Sequence, residues 1–314
     1  MLRREFIRGV PAAGLAASMP AALAAADLPI LPTASPFLFS VMLWTVERNM
    51  PFEQRINKVA EAGYHAVELV WEYRDWTASD FAKARTQLHQ LGIVVDACSG
   101  IDASLCDASQ RELFLSQVRA KLPTLAELEC PRLILLTGNK VPGVSHEQMH
   151  ANCVEALKRA ADLTASQNVE LLLENIDPEE NPKYFLTSVA EGFEVIREVN
   201  SPRVRFLYDF FHEQISEGNL IAKLAKNIDL VGLVHVADVP GRHEPGTGEI
   251  NYSNIFHKLG QLGYSHYAAM EFVATGDVVA SLRTARESAE EWWAEGRASS
   301  ASKVSNGRIH HEST

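Results

Sequence analysis

A regular alternation of short apolar runs with amphipathic segments is the feature that most constrains the fold of this chain. The apolar runs have the length of strands, and they fall at residues 37–43, 66–70, 92–97, 132–136, 169–173, 204–208, 230–236 and 267–272. A segment with helical periodicity follows each run, and the last such segment ends near residue 295. Strands that alternate with helices indicate a parallel sheet, and eight such units suit a closed barrel. We therefore predict an α/β protein with a single (β/α)₈ TIM barrel.

A doubly wound open sheet is the alternative for a chain with this alternation. It agrees less well with the sequence, because no Gly-x-Gly-x-x-Gly pattern follows the first strand. We predict a signal peptide at 1–26, a linker at 27–36, the barrel at 37–296 and a disordered tail at 297–314. The tail prediction depends on a composition rich in Ser, Ala, Gly and charged residues.

The first 26 residues have the pattern of a twin-arginine export signal. Arg3 and Arg4 precede an Ala- and Gly-rich run, and Ala22-Leu23-Ala24 offers a signal peptidase small residues. Four residues interrupt the run and make it a poor membrane anchor, namely Pro11, Gly14, Ser18 and Pro20. We therefore expect the twin-arginine export machinery as a partner of the precursor, no stable membrane anchor, and a periplasmic or secreted mature protein.

Charge and cysteine content limit the remaining functional classes. The formal net charge of −11 argues against nucleic acid as a partner, since a duplex-binding surface needs clustered Lys and Arg. The four cysteines show no metal-ligand spacing, and buried thiols are favoured over a Cys98–Cys106 bridge. Homo-oligomerisation is left open.

Four successive predicted strands carry ionisable side chains at or near their carboxyl ends. Glu174 ends the fifth strand, Asp209 the sixth and Glu271 the eighth, while His235 interrupts the apolar seventh strand. In a barrel these strand ends meet at one rim, where three buried acids would repel one another. A divalent cation resolves that repulsion, and oxygen ligands with one imidazole suit Mg²⁺ or Mn²⁺, with Zn²⁺ or Co²⁺ as alternatives. A structural ion-pair network is the competing interpretation.

Other polar and aromatic residues are expected at the same rim. His212 lies three residues after Asp209, and Arg242 lies in a Gly- and Pro-rich loop after the seventh strand. Glu68 is placed near the end of the second strand, and Trp44 follows the first. We predict that Glu68 and Trp44 contact substrate there, although ordinary packing would equally explain Trp44.

The succession Glu174, Asp209, His235 and Glu271, with Asp209-x-x-His212, resembles the xylose isomerase-like (AP endonuclease family 2) barrel superfamily of sugar isomerases and epimerases. Within it, the run from Ala237 to Tyr252 and the segment from Ser145 to His150 are similar to the hydroxypyruvate isomerase family. The resemblance covers roughly residues 37–290. It implies the four residues as metal ligands, with Glu174 and Glu271 also as the catalytic proton-transferring pair. It implies His212 and Arg242 as substrate contacts.

The resemblance and the acidic rim together predict a metal-dependent isomerase or epimerase. Its substrate would be a small carbohydrate or hydroxy-keto acid, and proton transfer would pass through an enediolate. The sequence departs from the family at Asn175, at His235 and after Glu271, where a Lys-Pro pair is absent. These departures keep two alternatives open, a 3-keto-sugar or glycoside lyase and a ketose 3-epimerase. A DNA endonuclease of this fold and a non-catalytic sugar-binding barrel agree less well with the acidic charge and the paired acids.

Overall fold

The computed structural model describes residues 37–309 of the chain. The predicted signal peptide at 1–26 and linker at 27–36 lie outside the described residues, as do residues 310–314. The strands are β1 Leu38–Met42, β2 Ala66–Leu69, β3 Val94–Cys98, β4 Arg132–Leu136, β5 Glu170–Glu174, β6 Val204–Asp209, β7 Val231–Val236 and β8 Tyr267–Met270. All are parallel, and β1 pairs with β8 to close the sheet, with Val41 opposite Met270. The prediction of a (β/α)₈ barrel is confirmed.

Helices surround the barrel and connect its strands. They are α1 Phe52–Glu61, α2 Ala78–Leu91, α3 Arg111–Glu127, α4 His146–Thr164, α5 Val189–Val199, α6 Phe210–Ser216, α7 Leu220–Asn227, α8 Tyr252–Leu262 and α9 Val278–Ile309. Local signals explain several of their ends. Thr77 and Asp80 form a capping box at the start of α2, and Gly92 ends that helix in the left-handed conformation. In the described part of the chain, no helix is both long and apolar enough to span a membrane.

Alternation along the strands separates an outer core from the barrel interior. Residues such as Val67, Leu69, Val234 and Val236 belong to the large cluster that includes the apolar residues of the helices. The alternate positions form a small inner cluster, which consists of Met42, Ala97, Ile134, Leu172, Leu207 and Leu233. Side chains at i and i+2 share a face of a strand. The same alternation therefore directs the polar residues between the outward-facing ones into the barrel.

The four cysteines lie in the core of the molecule. All of them are buried and free, namely Cys98, Cys106, Cys130 and Cys153. The preference for buried thiols over a Cys98–Cys106 bridge is confirmed.

Two helices lie between β6 and β7, whereas the sequence pattern predicts a single helical segment after each apolar run. Helix α6 begins directly after β6, because the carboxylate of Asp209 accepts hydrogen bonds from the N–H groups of Phe211 and His212. Gly218 and Asn219 both have positive φ and separate α6 from α7. The strand end that carries Asp209 is therefore also a helix cap.

Helix α9 continues to Ile309, through most of the range 297–314 for which the sequence predicts a disordered tail, and residues 310–314 lie outside the described residues. Its small residues permit close packing on α8. A Cβ atom added to Gly296 would lie 2.0 Å from the carbonyl oxygen of His257, and one added to Gly260 would lie 2.2 Å from that of Trp293. Gly260 and Gly296 therefore lie at a close crossing of α8 and α9, just before the predicted tail.

Candidate active site and metal centre

The structure brings the four predicted metal ligands together at the carboxyl-terminal rim of the barrel. Glu174 is the last residue of β5, Asp209 is the last of β6, and Glu271 follows β8 directly. His235 lies opposite Asp209 in the pairing of β6 with β7. One potential ligand atom from each residue lies within 4.8 Å of those of the others, and all four residues are buried.

The ligand atoms converge without satisfying one another. Nδ1 of His235 lies 2.7 Å from Oε2 of Glu271, 3.4 Å from Oε1 of Glu174 and 3.8 Å from Oδ2 of Asp209. Within residues 37–301, neither Nδ1 of His235 nor Oε2 of Glu271 has a hydrogen-bond partner by geometry, although Oε2 of Glu271 forms an ion pair with Arg242 at 2.8 Å. Buried polar atoms that point at one place without hydrogen bonds to one another are the arrangement expected of metal ligands. Three carboxylates and one imidazole therefore fit a divalent cation.

Charge and burial oppose each other within this cluster. Burial raises the pKa of Glu174, and the neighbouring acids add to this effect against the influence of His235. Burial would lower the pKa of His235, but Glu68 and Glu271 hold it well above its usual value. Burial would also raise the pKa of Glu271, but Arg242 and His235 hold it well below its usual range. Protons on these groups would compete with a bound cation.

Glu68, for which the sequence predicted a substrate contact, lies inside the barrel. Its side chain is fully buried in β2, and its Oε2 accepts a hydrogen bond from Nε2 of His235 at 2.9 Å. Alternation along β2 directs it into the barrel beneath the rim, since Val67 and Leu69 pack outward. Glu68 therefore contacts a predicted metal ligand, His235, while its predicted contact with substrate stays a prediction.

Arg242 reaches the centre of the cluster from the loop after β7, as predicted. One guanidinium nitrogen lies 2.8 Å from Oε2 of Glu271 and 3.3 Å from Oδ2 of Asp209. The other lies 2.9 Å from Oε2 of Glu180. The guanidinium carbon also lies 4.9 Å from the ring centre of Phe211. Arg242 therefore supplies a fixed positive charge beside the two carboxylates.

The buried carboxylate of Asp238 shapes the loop that carries Arg242. It accepts hydrogen bonds from four backbone N–H groups, which belong to Val239, Gly246, Gly248 and Ile250. The Gly248 position is crowded, since an added Cβ atom would lie 2.0 Å from the carbonyl oxygen of Val239. This network explains why the sequence requires Asp and Gly at these positions.

A second connection ties the same loop to the segment after β8. The carboxylate of Glu244 accepts hydrogen bonds from Thr275 and Ser281. In addition, the N–H of Val273 donates to the carbonyl oxygen of Arg242 at 2.8 Å. The loop is therefore anchored at the strand that delivers Glu271.

Trp44, for which the sequence predicted a substrate contact, lies beside the cluster. Its indole N–H donates a hydrogen bond of 2.8 Å to Oε1 of Glu271. Its ring centre lies 5.5 Å from the guanidinium carbon of Arg242. The residue thus fixes one oxygen of Glu271 while the other oxygen points toward His235 and Arg242.

His212 was predicted to contact substrate, but only 1% of its side chain is exposed. Its Nδ1 lies 2.6 Å from Oδ2 of Asp177, and its Nε2 lies 3.5 Å from Oδ2 of Asp209. Burial lowers the pKa of His212, yet Asp209 and Asp177 together raise it above its usual value. His212 therefore lies between Asp177 and Asp209, and the start of α6 directs its ring away from solvent.

Asp177 and Glu180 were not assigned a role by sequence reasoning. Together with His212 they form a second group whose potential ligand atoms lie within 4.8 Å of one another. The backbone N–H groups of Glu179 and Glu180 donate to Asp177, and this turn positions Glu180 for its contact with Arg242. Asp177 lies only three residues after Glu174, just beyond the end of β5, and this short spacing is the sequence signal that could have identified it.

Comparisons with known proteins identify the family. The family model described as xylose isomerase-like TIM barrel matches residues 56–301. The 2-oxo-tetronate isomerase of Haemophilus influenzae is 30% identical over 78% of this chain and 96% of its own length. The hydroxypyruvate isomerase of Escherichia coli is also 30% identical, over 78% of this chain and 96% of its own.

A solved structure agrees with these relatives. The crystal structure of AP endonuclease, family 2 from Brucella melitensis is 26% identical, with a TM-score of 0.74. The match covers 80% of this chain and 98% of that one. The curated relatives named above are isomerases, and the chain belongs to the xylose isomerase-like TIM barrel family.

Proposed function

We propose that this protein is a divalent-metal-dependent isomerase that moves a proton between neighbouring carbons of a small hydroxy-carbonyl compound through an enediolate. The observation that carries the proposal is the convergence of Glu174, Asp209, His235 and Glu271 on one point. Binding alone does not require two buried acids at such a point, whereas proton transfer requires a base and an acid on the substrate.

Mg²⁺ or Mn²⁺ is the cation that this set of ligands favours, and when bound it would polarise the carbonyl oxygen of the substrate. The remaining steps belong to the protein. Glu174 and Glu271 come from strands on different sides of His235, so a substrate at the rim would lie between their carboxylates. One carboxylate would take the proton from the hydroxyl-bearing carbon next to the carbonyl, and the other would protonate the former carbonyl carbon, while the hydroxyl proton passes to the former carbonyl oxygen.

Arg242 would stabilise the negative charge of the enediolate. Its guanidinium is held within 3.3 Å of Asp209 and Glu271 and is fixed by the loop that Asp238 organises. A donor that is already in place when charge develops gives more stabilisation than one that must move. Trp44, which holds one oxygen of Glu271, would keep that carboxylate in the orientation needed for transfer.

A 3-hydroxy-2-oxo acid is the substrate class that we propose. The names of the two curated relatives, hydroxypyruvate isomerase and 2-oxo-tetronate isomerase, both describe compounds with a carboxylate, an adjacent carbonyl and a neighbouring hydroxyl. In such a compound the carbonyl and hydroxyl oxygens could bind a cation as a pair. The carboxylate would suit Arg242, which provides planar donors for bidentate binding.

Metal analysis and product analysis test this proposal together. The purified protein should retain about one divalent cation per chain, and it should convert hydroxypyruvate to its aldehyde isomer or 2-oxo-tetronate to its 3-oxo isomer, as followed by NMR. Inversion at one carbon of a ketose would instead indicate a 3-epimerase, and release of an aglycone from a 3-keto-glycoside would indicate a lyase. A protein that is fully active without metal contradicts the proposal.

We further propose that the mature protein is periplasmic or secreted and is exported through the twin-arginine machinery. The support is the Arg3-Arg4 pair followed by the Ala-rich run and the Ala22-Leu23-Ala24 site. Arg3→Lys combined with Arg4→Lys should leave the precursor in the cytoplasm. Terminal sequencing of the wild-type protein should find a start after residue 24 or 26, and an intact Met1 on cytoplasmic protein would contradict export.

A further inference from the structure

We infer that Glu68 is a positioning residue that makes Nδ1 of His235 the atom that faces the metal. This inference rests on the proposed function only in requiring that the site binds a divalent cation. Glu68 itself lies outside the four ligands, and it acts through His235 from the opposite side of the imidazole ring.

The geometry shows that Glu68 reaches His235 through the barrel interior. Strands β2 and β7 are not neighbours, because β8 and β1 lie between them in the closed sheet. The contact can form because both side chains point inward, where Oε2 of Glu68 accepts from Nε2 of His235 at 2.9 Å. A contact across the barrel fixes the direction of the ring more firmly than packing along one strand would.

The chemistry of imidazole gives this contact a consequence. A neutral imidazole carries its proton on one nitrogen and offers a lone pair on the other. With the proton on Nε2 donated to Glu68, the lone pair lies on Nδ1, which is the nitrogen that faces Glu174, Asp209 and Glu271. A carboxylate behind a ligating histidine also makes the ligand more basic.

The burial of Glu68 shows that the contact is specific. The side chain is fully buried, and within residues 37–301 its Oε1 has no hydrogen-bond partner. A buried carboxylate is costly without a strong partner, and the hydrogen bond to His235 is the one that Glu68 makes in this part of the chain. This hydrogen bond therefore satisfies a buried polar atom on each of the two side chains.

Asp96 provides a matched control for general effects of a buried acid. It is also a buried acid in the barrel interior, but it hydrogen-bonds Ser40 and not His235. Asp96→Asn therefore tests whether a change at any buried acid of the barrel interior affects the metal site. Removal of Glu68 tests the hydrogen bond itself.

The experiment compares Mn²⁺ binding by calorimetry in metal-free wild-type protein and in three full-length variants. Glu68→Gln keeps an acceptor of the same shape but loses the charge, and Glu68→Met loses the acceptor. Loss of a partner of this kind weakens metal binding by about 10–100-fold. We expect a loss of about 10-fold in Glu68→Gln and about 100-fold in Glu68→Met, and a change below about threefold in Asp96→Asn.

A second readout reports the tautomer directly. In Mg²⁺-loaded wild-type protein labelled with ¹⁵N-histidine, His235 should show a protonated Nε2, and its signal is identified by its loss in His235→Gln. The Glu68→Met variant should show a mixture of tautomers or a protonated Nδ1. A merely structural role of Glu68 would lower thermal stability without changing this spectrum, and Glu68→Gln keeps the test valid if Glu68→Met does not fold.

The outcomes separate this inference from the proposed function. Unchanged Mn²⁺ affinity in both Glu68 variants, with normal wild-type binding, overturns the inference alone. An equal loss of affinity in Asp96→Asn overturns it as well, because a change at any buried acid would then explain the effect. A wild-type protein that binds no Mn²⁺ overturns the proposed function together with the inference.

Discussion

At the scale of single residues, Glu271 is the most constrained side chain of the site. Trp44 holds its Oε1, while Arg242 and His235 both lie within 2.8 Å of its Oε2. A carboxylate held by three groups is oriented before substrate arrives, which reduces the entropy that binding must overcome. Because these contacts are made to a carboxylate, we expect that a substitution that keeps the shape of Glu271 but removes its charge still disturbs the site.

Glu174→Gln and Glu271→Gln should each abolish turnover while the fold is retained. Each change removes a base and one negative charge from a cluster in which acids repel one another, so we expect a loss of at least about 10²-fold in kcat. Glu179→Gln serves as the control, since Glu179 is exposed on the turn after β5. Steady-state kinetics with circular dichroism check this, and more than about a tenth of wild-type activity in either variant would place proton transfer elsewhere.

Arg242→Lys should raise KM by about 10-fold or more, with a smaller effect on metal affinity. Lys provides a compact charge and cannot reproduce planar contacts to two carboxylates and a substrate at once. Arg48→Lys is the control, because Arg48 stacks on Trp44 but contacts none of the four predicted ligands. A parallel fall in metal affinity and thermal stability, with KM unchanged, would show that Arg242 only braces the loop.

The sequence placed these residues at one end of the barrel but did not predict how deeply each of them is buried. Glu174 and Asp209 are recognisable in the sequence because each ends an apolar strand, and the carboxyl ends of parallel strands meet at one rim of a barrel. Glu68 is of the same type near a similar strand end, but one step of alternation places it inside the barrel. His212 turned out to be buried because Asp209 caps α6 directly after the strand. Local composition does not reveal either effect.

At the scale of secondary-structure elements, the loop after β7 depends on Asp238. Asp238→Asn would place an amide donor where Gly246 and Gly248 donate their N–H groups, and each unsatisfied buried donor costs about 1–3 kcal/mol. We therefore expect lower thermal stability and a higher KM through displacement of Arg242. Asp229→Asn, at an exposed position before β7, should change neither value. Wild-type stability and KM in Asp238→Asn would contradict this account of the loop.

Helix α6 should make stability depend on pH through Glu213. Burial raises the pKa of Glu213 from its usual value near 4.5 to about 7, against the attraction of Lys223. Between these values the folded protein holds a proton that the unfolded chain has lost, so the stability contribution of Glu213 falls as pH rises from about 4.5 to about 7. Below pH 4.5 it is fully present.

Glu213→Gln should remove this part of the pH dependence, since its amide remains neutral throughout. Denaturant unfolding at pH 5 and pH 8 should show the variant gaining stability relative to wild type at the higher pH. Glu217→Gln is the control, because Glu217 also pairs with Lys223 but is largely solvated. A constant difference between Glu213→Gln and wild type across this range would mean that Glu213 is ionised throughout.

At the scale of the whole molecule, the barrel follows from periodicity because each apolar run must be covered on both faces. Strand β4 occupies Arg132–Leu136, as the apolar pattern predicts, and the other strands lie within a few residues of their predicted positions. The continuation of α9 to Ile309 was not predictable in the same way. Gly260 of α8 and Gly296 of α9 permit a close crossing of the two helices, and the sequence pattern does not predict a contact between residues so far apart in the chain.

The closed barrel explains how residues from four strands and two loops act as one centre. Each of these strands contributes one side chain to the rim, and the loop after β7 places Arg242 in contact with Asp209 and Glu271. The interior of the same barrel supplies Glu68 from the opposite side. The central claim is that this centre performs metal-dependent proton transfer beside a carbonyl.

Solvent deuterium incorporation tests that claim most directly. Mg²⁺-loaded protein is incubated in D₂O with hydroxypyruvate, and the carbon-bound hydrogens of substrate and product are followed by NMR. The account predicts deuterium at the carbon next to the carbonyl, with the signal lost in Glu174→Gln and after removal of the metal by a chelator, and restored by added Mg²⁺. Incorporation that is unchanged after metal removal, or absent from hydroxypyruvate and 2-oxo-tetronate alike in the loaded protein, would contradict the account.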